Sequence, residues 1–163
     1  MQRYAFLLAA LLGAASCNGD ITGLGPPSDP TKETFAASLG VDIATMSKTT
    51  TGVFYKDLVV GTGLEVTDSA VTVNVTYAGY LKDGKLFDSG TNVAFTLSGL
   101  IPGFHLGVLG MKEGGRRKIV IPSELGYDGH SLRNPDNTIK IPRQSTLIFD
   151  VDVIKVTNPT PTK

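Results

Sequence analysis

At 163 residues the chain has room for one domain plus appendages, and its 41% hydrophobic and 18% charged content suits a packed core rather than a disordered polymer. The 15 basic and 15 acidic residues cancel to a formal net charge of 0, so the charge balance points neither to nucleic acid nor to a polyanion mimic. The single cysteine, Cys17, rules out an intrachain disulfide framework.

Residues 1–17 carry the marks of an export signal and are set apart from the fold. Arg3 supplies a short positive region, Tyr4 to Gly13 is an apolar run, and Gly13, Ala14, Ala15 and Ser16 are small. The run is too short for a mature bilayer span, which needs roughly 20 apolar residues. Ala14-Ala15-Ser16-Cys17 resembles a bacterial lipobox, with Ala14 where a large aliphatic residue is usual. In that reading Cys17 is the lipidated first residue of the mature chain. A diacyl anchor would hold it at a membrane, because two acyl chains suffice where one is marginal. The alternative is an ordinary cleaved signal with an incidental cysteine. The expectation is an exported protein of the bacterial cell envelope, lipid-anchored and facing the periplasm or the outside.

Residues 18–30 are rich in Gly, Pro and Asp and read as a flexible tether. Residues 31–52 read as a short helical leader: Phe35, Leu39, Ile43 and Met46 recur three or four apart, with Asp29 as cap and Pro30 in the first turn. From Val53 the pattern turns to β. Val71, Val73, Val75 and Tyr77 alternate with polar residues, and Lys82-Asp83-Gly84-Lys85 makes a hairpin turn. Phe95 and Leu97 fit one face of another short strand. A short helix is expected from about Pro102 to Leu109, since proline is tolerated in a first turn, and Gly110 would stop it. Glu113-Gly114-Gly115 turns the chain into a strand over 116–121, and Leu147, Phe149, Val151 and Val153 alternate in the last strand. Pro159 and Pro161 end it, leaving 158–163 as a disordered tail. The fold class is α+β, with a curved antiparallel β-sheet around one short α-helix in a domain spanning 53–157.

Familiar catalytic chemistry is poorly supported. Gly79 to Lys85 fits the first positions of a phosphate-binding loop, but Leu86 stands where a Ser or Thr should hold Mg²⁺, and the context is strand-turn-strand. Gly61-Thr62-Gly63 is too short for a dinucleotide fingerprint. His105 and His130 sit in no metal-ligand pattern, so no metal and no cofactor are expected. There is no Gly-x-Ser-x-Gly elbow, and Cys17 is badly placed for a nucleophile. Arg116-Arg117-Lys118 reads as a solvated strand edge. What remains is a surplus of aromatic and aliphatic residues in the β region, with Asp88 following Phe87 at the end of a hairpin arm.

Val75-Thr76-Tyr77-Ala78-Gly79 followed by Asp83-Gly84-Lys85-Leu86-Phe87-Asp88-Ser89 resembles the hairpin of FKBP-type peptidyl-prolyl cis/trans isomerases. Ile101-Pro102-Gly103-Phe104 resembles their helix start. Gly110 to Gly114, Ile121-Pro122-Ser123 to Tyr127, Ile141-Pro142, and Leu147 to Val151 continue in the same order. The resemblance implies a pocket between helix and sheet containing Tyr77, Phe87, Asp88, Leu100, Ile101, Phe104, Tyr127, Ile141 and Phe149. Phe87, Phe104, Ile141 and Phe149 would hold a proline ring, with Phe104 as the floor. The Ile101 N–H and the Tyr127 hydroxyl would hold substrate carbonyls. Asp88, taken as a buried carboxylate held by the Tyr77 hydroxyl, would bias the electrostatics near the rotating carbonyl. Phe95 stays open between core and pocket.

The implied reaction rotates an Xaa-Pro amide over a barrier of roughly 18–20 kcal/mol without making or breaking a covalent bond. The implied partners are proline-containing exported polypeptides, macrolide-type FKBP ligands, and a membrane through Cys17, with no nucleic acid. The chain departs from the family at several points. Phe104 replaces the usual tryptophan, and Asp128 enters after Tyr127. The stretch 128–140 is long, Arg143 stands where a second proline is usual, and Val93 stands where an aromatic is common. No arginine partner for Asp88 is evident. These departures keep a second reading open, a proline-segment binding or chaperone-like module with little turnover.

Overall fold

The structure, a computed structural model, describes residues 25–158. The signal segment, Cys17, most of the tether, and Pro159 and Pro161 lie outside the described residues.

The leader does not form the helix its apolar spacing suggests. It folds as three separate turns of 3-10 helix, Pro30–Lys32, Ala37–Leu39 and Ile43–Thr45, followed by the two-residue strand β1 (Ser47–Lys48). Asp29 caps the first turn by accepting from the Thr31 N–H, and Asp42 caps the third by accepting from the Ala44 N–H. Gly40, at φ 58°, ends the second in the left-handed region. Such side-chain bonds offer the backbone local alternatives to a continuous helix. The apolar spacing is used for packing instead. Phe35, Leu39, Ile43 and Met46 cover Phe54, Val120 and Ile148 on one face of the sheet.

The remaining elements are β2 (Phe54–Val59), β3 (Thr72–Leu81), β4 (Leu86–Thr96), α1 (Pro102–Val108), β5 (Arg116–Ile121), β6 (Leu132–Arg133), β7 (Ile139–Ile141) and β8 (Leu147–Thr157). Six strands form one antiparallel sheet in the order β1-β2-β5-β8-β3-β4, while β6 and β7 pair separately. The α+β architecture expected from the strands and the single helix is the one observed. One detail differs: Phe95 lies in the same 11-residue strand as Phe87, and Leu97 opens a 3-10 turn, Leu97–Gly99. Two slips of register let β4 stay continuous, one between Tyr80 and Gly79 and one between Tyr77 and Val75.

Alternation sorts side chains between two layers. Ile119, Ile121, Leu147, Phe149, Val151 and Val153 join the main core under α1, whereas Val120 and Ile148 face the leader. The helix lies unusually close to β5. A Cβ at Gly103 would collide with the Ile121 side chain, and one at Gly107 would come within 2.5 Å of Ile119 Cγ2. Two glycines four apart on one helix face therefore seat α1 directly on the strand and aim the intervening Phe104 into the core.

Arg117 fastens the other end. Its Nη1 donates to the carbonyls of Gly107 and Leu109, each at 3.0 Å, satisfying acceptors that a helix C-terminus leaves open. Its Nε and Nη2 donate to Asp57 at 2.6 and 3.1 Å, and the guanidinium stacks 4.4 Å from the Tyr55 ring centroid. The expectation of three solvated charges therefore holds only for Arg116. Arg117 is 6% exposed and Lys118 8% exposed, the latter paired with Asp150. The strand alternation turns Arg117 under the helix, and its five-donor fork matches the acceptors waiting there.

Arg117→Lys keeps the charge but cannot serve Asp57 and two carbonyls at once. It is expected to lower stability by roughly 3 kcal/mol, the cost of leaving buried partners unserved, read as a lower urea midpoint in a denaturation series.

Candidate active site

The cavity between α1 and the sheet measures about 320 Å³ and is walled from six places in the fold. β3 contributes Tyr77, β4 contributes Phe87, Asp88 and Phe95, and β8 contributes Phe149. The segment entering α1 gives Gly99, Leu100 and Ile101, α1 gives Phe104, and the loop after β5 gives Tyr127. Of the residues expected at the site, only Ile141 is not a wall. It is 1% exposed and packed in the main core, at the end of β7.

Successive residues of a strand normally point to opposite faces. Phe87 and Asp88 nevertheless both reach the cavity. Gly79 pairs with Asp88 and Tyr80 with Leu86, which leaves Phe87 as an extra residue on β4. This bulge re-aims one side chain and brings an aromatic ring and a carboxylate to the same wall.

The aromatic rings meet edge to face. Phe104 lies 5.2 Å from Phe149 with the planes at 86°, Phe149 lies 5.6 Å from Phe87 at 90°, and Tyr77 lies 6.3 Å from Phe104 at 79°. Tyr77 also meets Phe95 at 5.7 Å. Such T-shaped pairs contribute about 0.5–1.5 kcal/mol each beyond area burial, so the walls are held by one another. Gly79 makes room for the cluster: a Cβ there would sit 2.7 Å from both the Phe149 and the Phe87 rings.

Polar groups are few and sit at the rim. The Tyr77 hydroxyl donates to Asp88 Oδ2 at 3.0 Å. Asp88 itself is exposed, not buried as the sequence reading held, because the hairpin leaves its side of β4 open to solvent. Burial, then the hydrogen bond to Asp88, pushes the Tyr77 hydroxyl up to about 12. Burial, then the Asp88 charge, also raises the Tyr127 hydroxyl above the ordinary tyrosine value. Both therefore stay protonated and able to donate at neutral pH. Neither the Tyr127 hydroxyl nor the Ile101 N–H has an acceptor among the described residues. The cavity thus pairs an apolar floor with two unengaged donors.

Phe95 and Gly99 are walls that the pattern did not assign. Phe95 pairs with Val73, four residues along β3 from Tyr77, and it is the reach of the two rings rather than the register that brings them together. Nothing in the sequence marks Gly99. Among the described residues, no group of His, Cys, Asp and Glu could hold a metal ion.

Comparison with known proteins agrees with this geometry. Residues 65–154 match the model of the family described as FKBP-type peptidyl-prolyl cis-trans isomerase. The chain is 39% identical over 129 residues to the FKBP-type peptidyl-prolyl cis-trans isomerase FkpA of Escherichia coli K12, covering 77% of this chain but only 43% of that protein. It is 38% identical over 112 residues to the FK506-binding protein of Neisseria meningitidis serogroup B, covering 64% of this chain and 96% of that one. Among solved structures, FkpA from Escherichia coli superposes with a TM-score of 0.59 at 38% identity, covering 68% of this chain and 51% of that one. A peptidyl-prolyl cis-trans isomerase from Pseudomonas syringae superposes with a TM-score of 0.62 at 28% identity, covering 75% and 87%. With the family model spanning more than half of its length and the Neisseria protein covered almost end to end, this chain belongs to the FKBP-type peptidyl-prolyl cis-trans isomerase family.

Proposed function

We propose that this chain accelerates cis/trans isomerisation of Xaa-Pro bonds in exported polypeptides, using the cavity between α1 and the sheet. The observation that carries the proposal is the pairing of an aromatic floor with two unengaged donors, the Tyr127 hydroxyl and the Ile101 N–H. Membership of the family supports the activity, and the apolar run before Cys17 supports export.

Resonance makes the planar Xaa-Pro amide polar, and water stabilises that polarity. Uncatalysed exchange therefore takes tens to hundreds of seconds. Twisting the bond removes the conjugation and reduces charge on the carbonyl oxygen. An apolar cavity that excludes water favours the twisted form relative to the planar one, and only such a difference speeds the step. Phe87, Phe104 and Phe149 receive the proline ring. Tyr127 and the Ile101 N–H hold carbonyls on either side and fix the substrate's turn. Asp88, held by Tyr77, puts a negative charge beside the rotating carbonyl. Ile141 supports the site from the core. A macrolide of the FK506 class would compete for the same walls, and lipidation of Cys17 would tether the enzyme at a membrane. The same apolar walls also suit holding of proline-containing segments with little turnover.

Cis-to-trans exchange of short Xaa-Pro peptides, followed by NMR, tests the proposal. Wild type is expected to accelerate exchange. Asp88→Ala and Tyr127→Phe, each checked for folding, are expected to lose about tenfold in kcat/KM, corresponding to about 1.4 kcal/mol of transition-state stabilisation. A folded wild type that leaves exchange unchanged across several residues before proline, while still binding the peptides, would make the cavity a binding site instead.

The tyrosines set the alkaline limit. Tyr77 is raised from 10.0 to about 12, so its neutral form is favoured by the fold. That stabilisation is complete below pH 10 and is lost as pH rises through about 12. Ultraviolet titration of phenolate is expected to show a step near pH 12 from Tyr77, and a Tyr77→Phe variant to lack that step.

A further inference from the structure

Ser123, the first residue of the 3-10 turn Ser123–Leu125, has every polar group engaged. Its N–H donates to Ser28 Oγ at 2.7 Å, and the Ser28 N–H donates back to Ser123 Oγ at 2.9 Å. Ser123 Oγ donates in turn to Gln144 Oε1 at 2.8 Å. The Ser123 carbonyl accepts from the N–H groups of Gly126 at 2.9 Å and Asp128 at 2.8 Å, the residues on either side of Tyr127. The Gln144 N–H donates to the Asp128 carbonyl at 2.8 Å. Ser123 is 0% exposed, and its partner Ser28 is 95 residues away in the chain.

This network does more than close a turn. The bonds from Leu125 to Pro122 and from Gly126 to Ser123 already do that. The added bonds anchor the turn to Ser28, just ahead of the leader, on one side and to the segment before β8 on the other. They also secure Asp128, which holds a left-handed backbone at φ 47° without being glycine. Among the described residues the Tyr127 hydroxyl has no partner, so its place in the cavity is set largely from the backbone end.

We propose that Ser28 and Gln144 are positioning residues for Tyr127, acting through Ser123, so that the stretch running into the leader takes part in catalysis although it contributes no wall to the cavity. The proposal rests on Tyr127 serving as the donor that holds a substrate carbonyl. Losing the Ser28 hydroxyl leaves the buried Ser123 N–H without its acceptor and loosens the backbone that carries the tyrosine. Even a displacement of about 1 Å at a positioning contact can cost 10²-fold in rate.

A double-mutant cycle on the full chain tests it, with Ser28→Ala measured in the wild-type and Tyr127→Phe backgrounds. In wild type, Ser28→Ala is expected to lower kcat/KM by about five- to tenfold. On Tyr127→Phe the same change is expected to cost less than about twofold, because residues that act as a unit are non-additive. Ser28→Thr keeps the hydroxyl and is expected to recover most of the loss. Thr45→Ala, elsewhere in the leader, is expected to leave activity unchanged. Gln144→Asn tolerates the φ of 55° found at that position while shortening the amide, and gives a second entry to the cycle should Ser28→Ala fold poorly. Equal losses in both backgrounds, or no loss, would overturn the proposal. The Tyr127 side-chain NMR signals provide a readout independent of turnover: they should shift and broaden in Ser28→Ala, and unchanged signals would also overturn it. A wild type without isomerase activity would defeat the functional reading alone, leaving those signals to decide the positioning.

Discussion

The distance between α1 and β5 is the constraint on which the rest depends. A helix of only 7 residues cannot persist by its own hydrogen bonds and must be held by tertiary packing. Gly103 and Gly107 let its backbone rest against Ile121 and Ile119, and Arg117 satisfies its trailing carbonyls. Between those glycines, Phe104 has one direction to point, toward Phe149 and Tyr77. Moving the helix outward by the width of a methyl group would withdraw the floor from beneath the cavity.

The site follows from that seat and from one irregularity in the sheet. The bulge on β4 brings Phe87 and Asp88 to the same wall, so a buried apolar ring and a solvated carboxylate lie side by side. The resulting cavity is dry at its floor and polar at its rim. That division suits a reaction whose reacting bond becomes less polar as it twists while its flanking carbonyls still need donors. Asp88 is solvated and accepts from the Tyr77 hydroxyl rather than sitting in a buried network.

Much of this was legible in the sequence where a single local rule governs. Period-two alternation marked β3 and β8, the Glu113-Gly114-Gly115 turn marked the start of β5, Asp-Gly marked the hairpin, and Pro102 and Gly110 bracketed the helix. Eight of the nine residues assigned to the pocket by resemblance line the cavity, and Ile141 lies behind it in the core. What escaped depended on several elements at once. Apolar spacing in the leader looked helical because residues three or four apart also suit a chain draped over a sheet, and the caps at Asp29 and Asp42 decide between the two. Arg117 read as surface because its acceptors lie on β2 and at the end of α1, distant in sequence. Phe95 was ambiguous because two register slips intervene between it and Phe87.

The β6–β7 hairpin stands apart from the six-stranded sheet. Its neck is closed where Gln144 meets Asp128, and its tip is closed by Asn134 and Thr138. Ile141 and Leu132 tie the base of the hairpin to the main core, so it is the tip, residues 134–138, that can be lengthened, shortened or exchanged without disturbing the helix seat or the aromatic floor, as surface connections generally allow. The fold is therefore modular in an evolutionary sense. A lineage can vary that tip while inheriting the aromatic floor unchanged.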